Sequence, residues 1–333
     1  MANPYVATVF DSLLDIQRLL SVAAGFSKPL EIVPGNLVST EVEISRPETL
    51  VPLATGVVIA LVHSQVLEFV GYQIAKAIGV SGRKREQFAS SWMETVYFGF
   101  QLFLSYRVFG ATDWYWPSGW NLSMDDGRKG LLTQGLPGVP PYYCTRDMRG
   151  YYTCEFGYYA AQFIVIFLRK WKKDHWEMVF HHAVTSALIS LSYAHWHLRI
   201  GVIVMMLHNL FDPWLNIAKC AHYAFSGTLH VMADISFAVG AVTFLASRLV
   251  MYPRAIYFAW THCGLPGEFI LWDASADELA LKLLLCFLYP IHVFWFYLIL
   301  KVAKQAIFSG SVQKDERSDS EDEFPSPKRK KSD

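Results

Sequence analysis

The sequence is poor in charge and in cysteine for its length. Only 17% of its 333 residues are Asp, Glu, Lys or Arg, and five are cysteine. Because soluble domains carry about 25% charged residues, this composition argues against an ordinary soluble protein. Five cysteines are too few to hold such a chain together as a disulfide scaffold. The formal net charge is zero and the basic residues form no broad patch, which argues against nucleic-acid binding.

Long apolar segments are what the sequence does contain, and 53% of its residues are hydrophobic. A membrane-spanning helix needs roughly 20 mainly apolar residues. Residues 1–27 have no compact apolar stretch behind a basic start, so we predict no removable signal peptide. We predict an all-α membrane protein with about seven transmembrane helices, with six or eight as the alternatives. The seven segments are 52–74, 88–110, 151–168, 176–196, 198–220, 229–251 and 279–300.

Basic residues predict how these segments are oriented. Clusters follow the first, third, fifth and seventh segments, at 83–85, 169–173, 219 and 301–304. Short loops rich in Lys and Arg stay in the cytosol, so we expect the clusters to lie on that side. The chain then divides into a lumenal segment at 1–49, a catalytic membrane domain at 50–308 and a cytosolic tail at 309–333. The tail is polar and is expected to be disordered.

Ionisable residues are concentrated in the fourth and fifth apolar segments, where they are costly and commonly functional. His181 and His182 lie in the fourth segment, and His208, Asn209 and Asp212 lie in the fifth. His208 and Asp212 are four residues apart and therefore share a helix face. A two-residue link makes the two segments neighbours, so we expect their polar residues to meet in the cytosolic leaflet. The alternative is a polar patch that only holds two helices together.

Histidine and carboxylate side chains are also ligands for zinc or iron. Membrane desaturases and hydroxylases use several histidine boxes of the HxxxH and HxxHH kind. The spacing from His175 to His181 does not fit such a box, and no second box follows. We therefore predict no metal site.

The stretch 174–223 resembles the longevity-assurance (Lag) motif of ceramide synthases, within the TRAM–Lag–CLN family of membrane proteins. The similarity extends from about 114 to 323, including Trp116-Pro117 and the aromatic run 294–297. Lys330 and Lys331 resemble the dilysine retrieval signal of endoplasmic-reticulum membrane proteins. The residues that carry the motif are the run 174–185, Ser192-Tyr193, 199–201, 207–212, Ala218-Lys219 and Tyr223.

This resemblance implies a multi-pass enzyme of the endoplasmic-reticulum membrane. It would transfer the acyl group of a fatty acyl-CoA to a long-chain sphingoid base, sphinganine or sphingosine, giving (dihydro)ceramide and CoA. Acyl-CoA is the co-substrate and no other cofactor is expected. The lipid bilayer is the expected environment, and the sequence leaves open whether the chain forms a homo- or heterodimer. It does not give the acyl-chain length either.

The histidines suit this chemistry. The amine arrives as an ammonium ion, and a histidine can accept its proton. Alternatively, a histidine attacks the thioester first and forms an acyl-imidazole, which the amine then opens. We predict His181 or His182 as base or nucleophile, with His208 and Asp212 orienting and stabilising charge.

Asn209 departs from the family pattern, which has an aspartate at that position. Three interpretations remain: Asp212 suffices, activity is reduced, or the substrate differs. Other functions also stay open. They are a non-catalytic lipid-sensing or translocation-associated member of the same family, a seven-span receptor and a transporter.

Overall fold

A computed structural model describes residues 4–25, 27, 41–43, 50–112, 114–117, 143–169, 174–194, 197–225, 230–262 and 276–309. Three predictions therefore lie outside the described residues. They are the disordered tail beyond residue 309, the dilysine signal, and most of the basic loop at 169–173.

The described chain is helical apart from one short strand pair. β1 (Glu41–Glu43) pairs antiparallel with β2 (Tyr143–Thr145), with Val42 opposite Cys144. This pair joins the N-terminal part of the chain to the residues directly before Arg146, where a helix begins. The helices are α1 (Pro4–Ala23), α2 (Leu50–Ala77), α3 (Arg83–Phe109), α4 (Arg146–Leu168), α5 (His175–Ala194), α6 (Leu198–Asn209), α7 (Asp212–Ala224), α8 (Val231–Phe244), α9 (Tyr252–His262) and α10 (Ala276–Ser309), with a π-helical segment at Leu245–Met251 between α8 and α9.

The predicted all-α membrane class is confirmed, whereas the number of spans stays a prediction. Each of the seven predicted segments falls on a helix or on consecutive helices. Three of these helices, α3, α4 and α5, have 27, 23 and 20 residues and are long enough to span, but they are more polar. Four helical stretches in the described residues, two of them made of consecutive helices, are both long and apolar enough to cross a membrane: Pro52–Ala77, Leu198–Ala224, Val231–Trp260 and Leu279–Phe308.

The polarity of α4 has a structural reason. About half of its residues are buried, so many of its side chains face other helices rather than lipid. Helix α4 packs closely on α2. The two backbones approach so closely at Gly157 that an added Cβ atom there would lie 2.3 Å from the backbone of Gly56. Small residues let helix backbones approach in this way. The outer face of α2 carries exposed apolar side chains such as Val58, Val62 and Phe69, which suit contact with lipid.

Helix α1 is not among the predicted segments. It packs on α3 and α4 and buries Leu19 and Val22. It also brings Asp15 and Arg18 against the start of α4, where Asp15 pairs with Arg149. The N-terminal part of the chain is therefore attached to the bundle by both apolar and ionic contacts.

Described residues from three of the predicted basic clusters come together at one end of the bundle, which we call the basic end. Arg169 donates a hydrogen bond to Ser90, near the start of α3, over 3.1 Å. The thiol of Cys220, next to Lys219, lies 3.8 Å from the carbonyl oxygen of Phe88. The start of α3 and the ends of α4 and α7 thus converge, as the orientation argument requires.

Candidate active site

The polar residues of the fourth and fifth predicted segments meet inside the bundle, as the sequence predicts. Helices α5 and α6 are neighbours, and the rings of His181 and His208 are 6.1 Å apart, centroid to centroid. His182 lies beside His181, with its ring 5.8 Å from that of Tyr159 on α4. All three histidines are buried. The ring of Tyr159 lies beside those of His181 and His182, and the ring of Trp295 lies 5.0 Å from that of His181. Aromatic side chains therefore surround the adjacent histidine pair.

A fourth histidine, His292 on α10, completes the cluster. Its Nε2 lies 3.1 Å from Nε2 of His208, while Nδ1 of His208 lies 2.7 Å from the carbonyl oxygen of Val204. A carbonyl oxygen only accepts, so Nδ1 of His208 carries the proton. In a neutral ring, Nε2 of His208 then accepts a hydrogen bond from Nε2 of His292. The carbonyl of Val204 thereby fixes the tautomer of His208, and the contact with His292 helps to hold the orientation of its ring.

The fifth predicted segment is interrupted between α6 and α7, and the side chain of Arg248 bonds to residues on both sides of the interruption. Pro213 at the start of α7 has no N–H group, so the helical hydrogen bonds cannot continue through it. Nη2 of Arg248 lies 2.8 Å from the carbonyl oxygen of His208 and 2.8 Å from Oδ2 of Asp212. The sequence places His208 and Asp212 on one helix face, and the structure links them through Arg248, which bonds to both residues.

Asn209 points away from the histidines. Its Nδ2 donates a hydrogen bond of 2.6 Å to Oε1 of Glu155 on α4. Neither residue is among the described residues that line the cavities at this site. Of the five predicted site residues, the structure therefore brings His181, His182, His208 and Asp212 to one place, with Asn209 bonded behind them.

Two cavities lie beside the histidines and share Tyr159 as a lining residue. The larger, of about 200 Å³, is lined by His181, His182, Asp212 and Arg248 and reaches Arg169 and Lys219 at the basic end. The smaller, of about 50 Å³, is lined in part by His208 and is otherwise almost wholly apolar. Its walls include Leu188, Ile189, Val204, Leu285 and Leu288. A ligand with a charged head and an alkyl chain suits this arrangement, because the two ends of the site differ in polarity.

Several nitrogen atoms at the site have no hydrogen-bond partner among the described residues. They include Nδ1 of His181, of His182 and of His292, and Nε of Arg248. Buried polar atoms are nearly always hydrogen-bonded, and exceptions commonly mark a catalytic role or an absent ligand. His181 and His182 therefore have unused hydrogen-bonding capacity, and both residues line the larger cavity.

Sequence analysis missed Glu155, Arg248 and His292. All three are ionisable residues inside predicted spans, which is the signal that selected the other five. They were missed because each lies at least ten residues from any other Asp, Glu, His, Lys or Arg of its segment, whereas His181, His182, His208 and Asp212 are close in sequence. Among the described residues, no group of three or more His, Cys, Asp or Glu side chains is arranged to hold a metal ion.

Comparisons with known proteins agree on one family. Residues 87–301 match the model of the TLC domain, which is shared by TRAM, LAG1 and CLN8 proteins. Human ceramide synthase 5 is 34% identical over 176 residues, which cover 51% of this chain and 42% of that protein. Sphingosine N-acyltransferase lag1 of Schizosaccharomyces pombe is 31% identical over 193 residues, covering 55% and 48%. Ceramide synthase LOH2 of Arabidopsis thaliana is 32% identical over 192 residues, covering 56% and 63%. The chain thus spans about half the length of the curated relatives it matches.

Proposed function

The chain belongs to the TLC-domain family of membrane proteins, and we propose that it is a ceramide synthase, which N-acylates a sphingoid base with a fatty acyl-CoA. The observation that carries the proposal is the buried pair His181 and His182, which lines a cavity open to the basic end. The names of the relatives support the same acyltransferase activity.

The reaction forms one amide bond and breaks one thioester bond. The ammonium group of the base first loses one proton to solvent, and its neutral nitrogen attacks the thioester carbon. His181 or His182 accepts the second proton from that nitrogen as the amide forms and gives it to the departing sulfur, so CoA leaves as the thiol. In the second route, one imidazole attacks the thioester carbon and displaces CoA, and the neutral amine then attacks the acyl-imidazole, forming the amide and releasing the imidazole. The unpartnered Nδ1 atoms of the pair support both routes.

The remaining polar residues have supporting roles in this proposal. The tetrahedral intermediate carries negative charge on its oxygen, and Arg248 is the cation that lines the cavity beside the histidines. Asp212 orients Arg248 through the 2.8 Å ion pair. His208 lies against His181 and is held by His292, so it maintains the shape of the site.

We further propose that the basic end faces the cytosol and that the protein resides in the endoplasmic-reticulum membrane. Arg169 and Lys219 at that end would contact the phosphates of the CoA head. The acyl chain or the chain of the base would lie in the apolar part of the site and the bilayer. Basic residues on the cytosolic side agree with the positive-inside rule.

Acyl transfer in membranes tests the proposal. Membranes from cells without their own ceramide synthase activity would receive this protein, sphinganine and labelled acyl-CoAs of several chain lengths. We expect labelled dihydroceramide from the wild type and none above background from His181→Ala or His182→Ala. His63→Ala is the matched control, because His63 is an exposed histidine on α2 and does not line either cavity. A folded wild type that makes no product with any chain length would contradict the proposal and favour a lipid-sensing family member.

A further inference from the structure

Glu94 on α3 is a charged residue of the larger cavity for which the proposed reaction has no role. It lies in the second predicted membrane segment, where an ionisable side chain is costly and commonly functional. The side chain is half-buried and lines the cavity together with His181 and His182. Among the described residues, no salt bridge or side-chain hydrogen bond engages Glu94. Its carboxylate is therefore available to a ligand in the cavity.

The position of Glu94 along α3 follows from its neighbours on the same face of the helix. Ser90, four residues earlier, accepts the hydrogen bond from Arg169 at the basic end. Tyr97, three residues later, stacks on Tyr158 with the ring centroids 3.6 Å apart. Residues three and four apart share a helix face, and four residues rise by about 6 Å. Glu94 thus lies about one helical turn inside the basic end.

Aromatic residues of α4 connect this position to the histidine pair. The rings of Tyr158 and Tyr159 are 5.9 Å apart, and the ring of Tyr159 is 5.8 Å from that of His182. These three residues and Glu94 all line the larger cavity. Along this wall, Glu94 therefore lies between the basic end and the histidines.

The other carboxylates that line the cavity are already engaged. Asp212 pairs with Arg248, and Asp174 also has interaction partners. Glu94 is therefore the carboxylate of the described lining that no salt bridge compensates. Of the two substrates in the proposed reaction, acyl-CoA is an anion, whereas the sphingoid base arrives as an ammonium ion. An ammonium group bound to a carboxylate gains a charge-assisted hydrogen bond, so the base is the substrate that suits Glu94.

We propose that Glu94 binds the ammonium group of the sphingoid base as the base enters the site. The inference rests on the proposed function, because the base is the acceptor in that reaction. Binding precedes the chemistry, and the amine becomes neutral when it moves on to the histidine pair. Arg169 and Lys219 attract the phosphates of CoA, while Glu94 repels them, so charge sorts the two substrates along one cavity. Glu94 is then a specificity-determining residue that favours long-chain amines over long-chain alcohols.

The kinetics of four proteins test the inference: wild type, Glu94→Gln, Glu94→Asp and Glu86→Gln. Glu94→Gln keeps the size of the side chain and removes its charge, so we expect the KM for sphinganine to rise about tenfold or more. Its kcat should stay within about threefold of wild type, and the KM for acyl-CoA should not rise. Glu94→Asp keeps the charge and should retain most of the affinity for sphinganine. Glu86→Gln is the matched control, because Glu86 is exposed in the first turn of α3 and is not among the residues lining either cavity.

Equilibrium binding gives a readout that does not depend on acyl transfer. The purified proteins in detergent would receive labelled sphinganine, or the labelled diol that lacks its amino group, without acyl-CoA. Glu94→Gln should weaken the binding of sphinganine about tenfold and leave the binding of the diol unchanged. Unchanged binding and KM for sphinganine in Glu94→Gln, or equal losses for the two ligands, would overturn the inference. If wild type makes no ceramide but binds sphinganine through Glu94, the proposed function fails and the amine site stands.

Discussion

Two clusters of buried ionisable side chains in this bundle are organised differently. In the ion-pair cluster between α1 and the start of α4, Asp15 pairs with Arg149 and, at 3.8 Å, with Arg146, while Arg18 lies 2.9 Å from Asp147. The second cluster is the histidine site, which comprises His181, His182, His208, His292, Asp212 and Arg248. Within this site, the described residues form one salt bridge, Asp212–Arg248.

The difference separates a structural use of buried charge from a chemical one. Every residue of the ion-pair cluster has a partner of opposite charge, and none is among the described residues lining the two cavities. The histidine site, by contrast, lines a cavity. Burial of charge therefore does not by itself indicate catalysis. Ionisable side chains that line a cavity are the more specific sign.

The largest expected effect comes from the histidine pair. Replacing His181 or His182 by Gln should lower kcat by about 10²- to 10⁴-fold, because a proton acceptor or nucleophile is lost. The melting temperature should stay close to that of wild type, because glutamine is also polar. Steady-state kinetics and thermal melts of purified protein measure both. A loss of less than about fivefold in both variants would place the chemistry elsewhere.

Removal of Arg248 should affect activity and stability together. Arg248→Met leaves Asp212 and the carbonyl of His208 without their donor, so we expect kcat to fall by about 10- to 100-fold and stability by about 3 kcal/mol. The double variant Arg248→Met with Asp212→Asn also removes the negative charge of Asp212 that Arg248 balanced. It should regain part of the stability but not the activity, and full recovery of kcat would contradict a role for Arg248 at the site.

His292 should have a smaller effect that depends on hydrogen bonding. His292→Phe removes the donor to Nε2 of His208, and we expect kcat to fall by about tenfold. His292→Gln can still donate a hydrogen bond, so it should keep more activity than the phenylalanine variant. Equal losses in the two variants would mean that His292 acts by size alone.

The ion-pair cluster should give the smallest effect on activity. Arg149→Met leaves the buried Asp15 with less compensation, and we expect stability to fall by about 3 kcal/mol. The kcat per folded molecule should stay within about twofold of wild type, since the cluster lies away from both cavities. A tenfold fall in kcat for the folded variant would contradict the distinction between a structural ion-pair cluster and a catalytic histidine site.

The sequence predicts the local parts of this structure better than its long-range contacts. Apolar segment length and a short link were sufficient to place α5 beside α6 and to bring His181 to His208. Pro213 also carried a local signal for the break between α6 and α7 that was not used. By contrast, the bonds from Arg248 to His208 and from Asn209 to Glu155 join residues 40 and 54 positions apart. No spacing rule predicts such partners.

The N-terminal helix shows the same limit. Its helical pattern is local, but its attachment depends on Asp15 meeting Arg149, 134 positions away. Sequence analysis therefore treated 1–49 only as a lumenal segment. Likewise, the sequence left three interpretations of Asn209 open and gave no sign of its hydrogen bond to Glu155 on α4.

The most direct test is stoichiometric acyl transfer by the purified protein. Labelled acyl-CoA and sphinganine would be mixed with wild type and, separately, with His181→Gln and His182→Gln. Free CoA and N-acyl product would each be quantified in the same sample. We predict that wild type releases one CoA for each amide formed and that both histidine variants form neither above background. Amide formation by the variants at the wild-type rate, or no amide from folded wild type, would contradict the assignment of acyl transfer to this histidine pair.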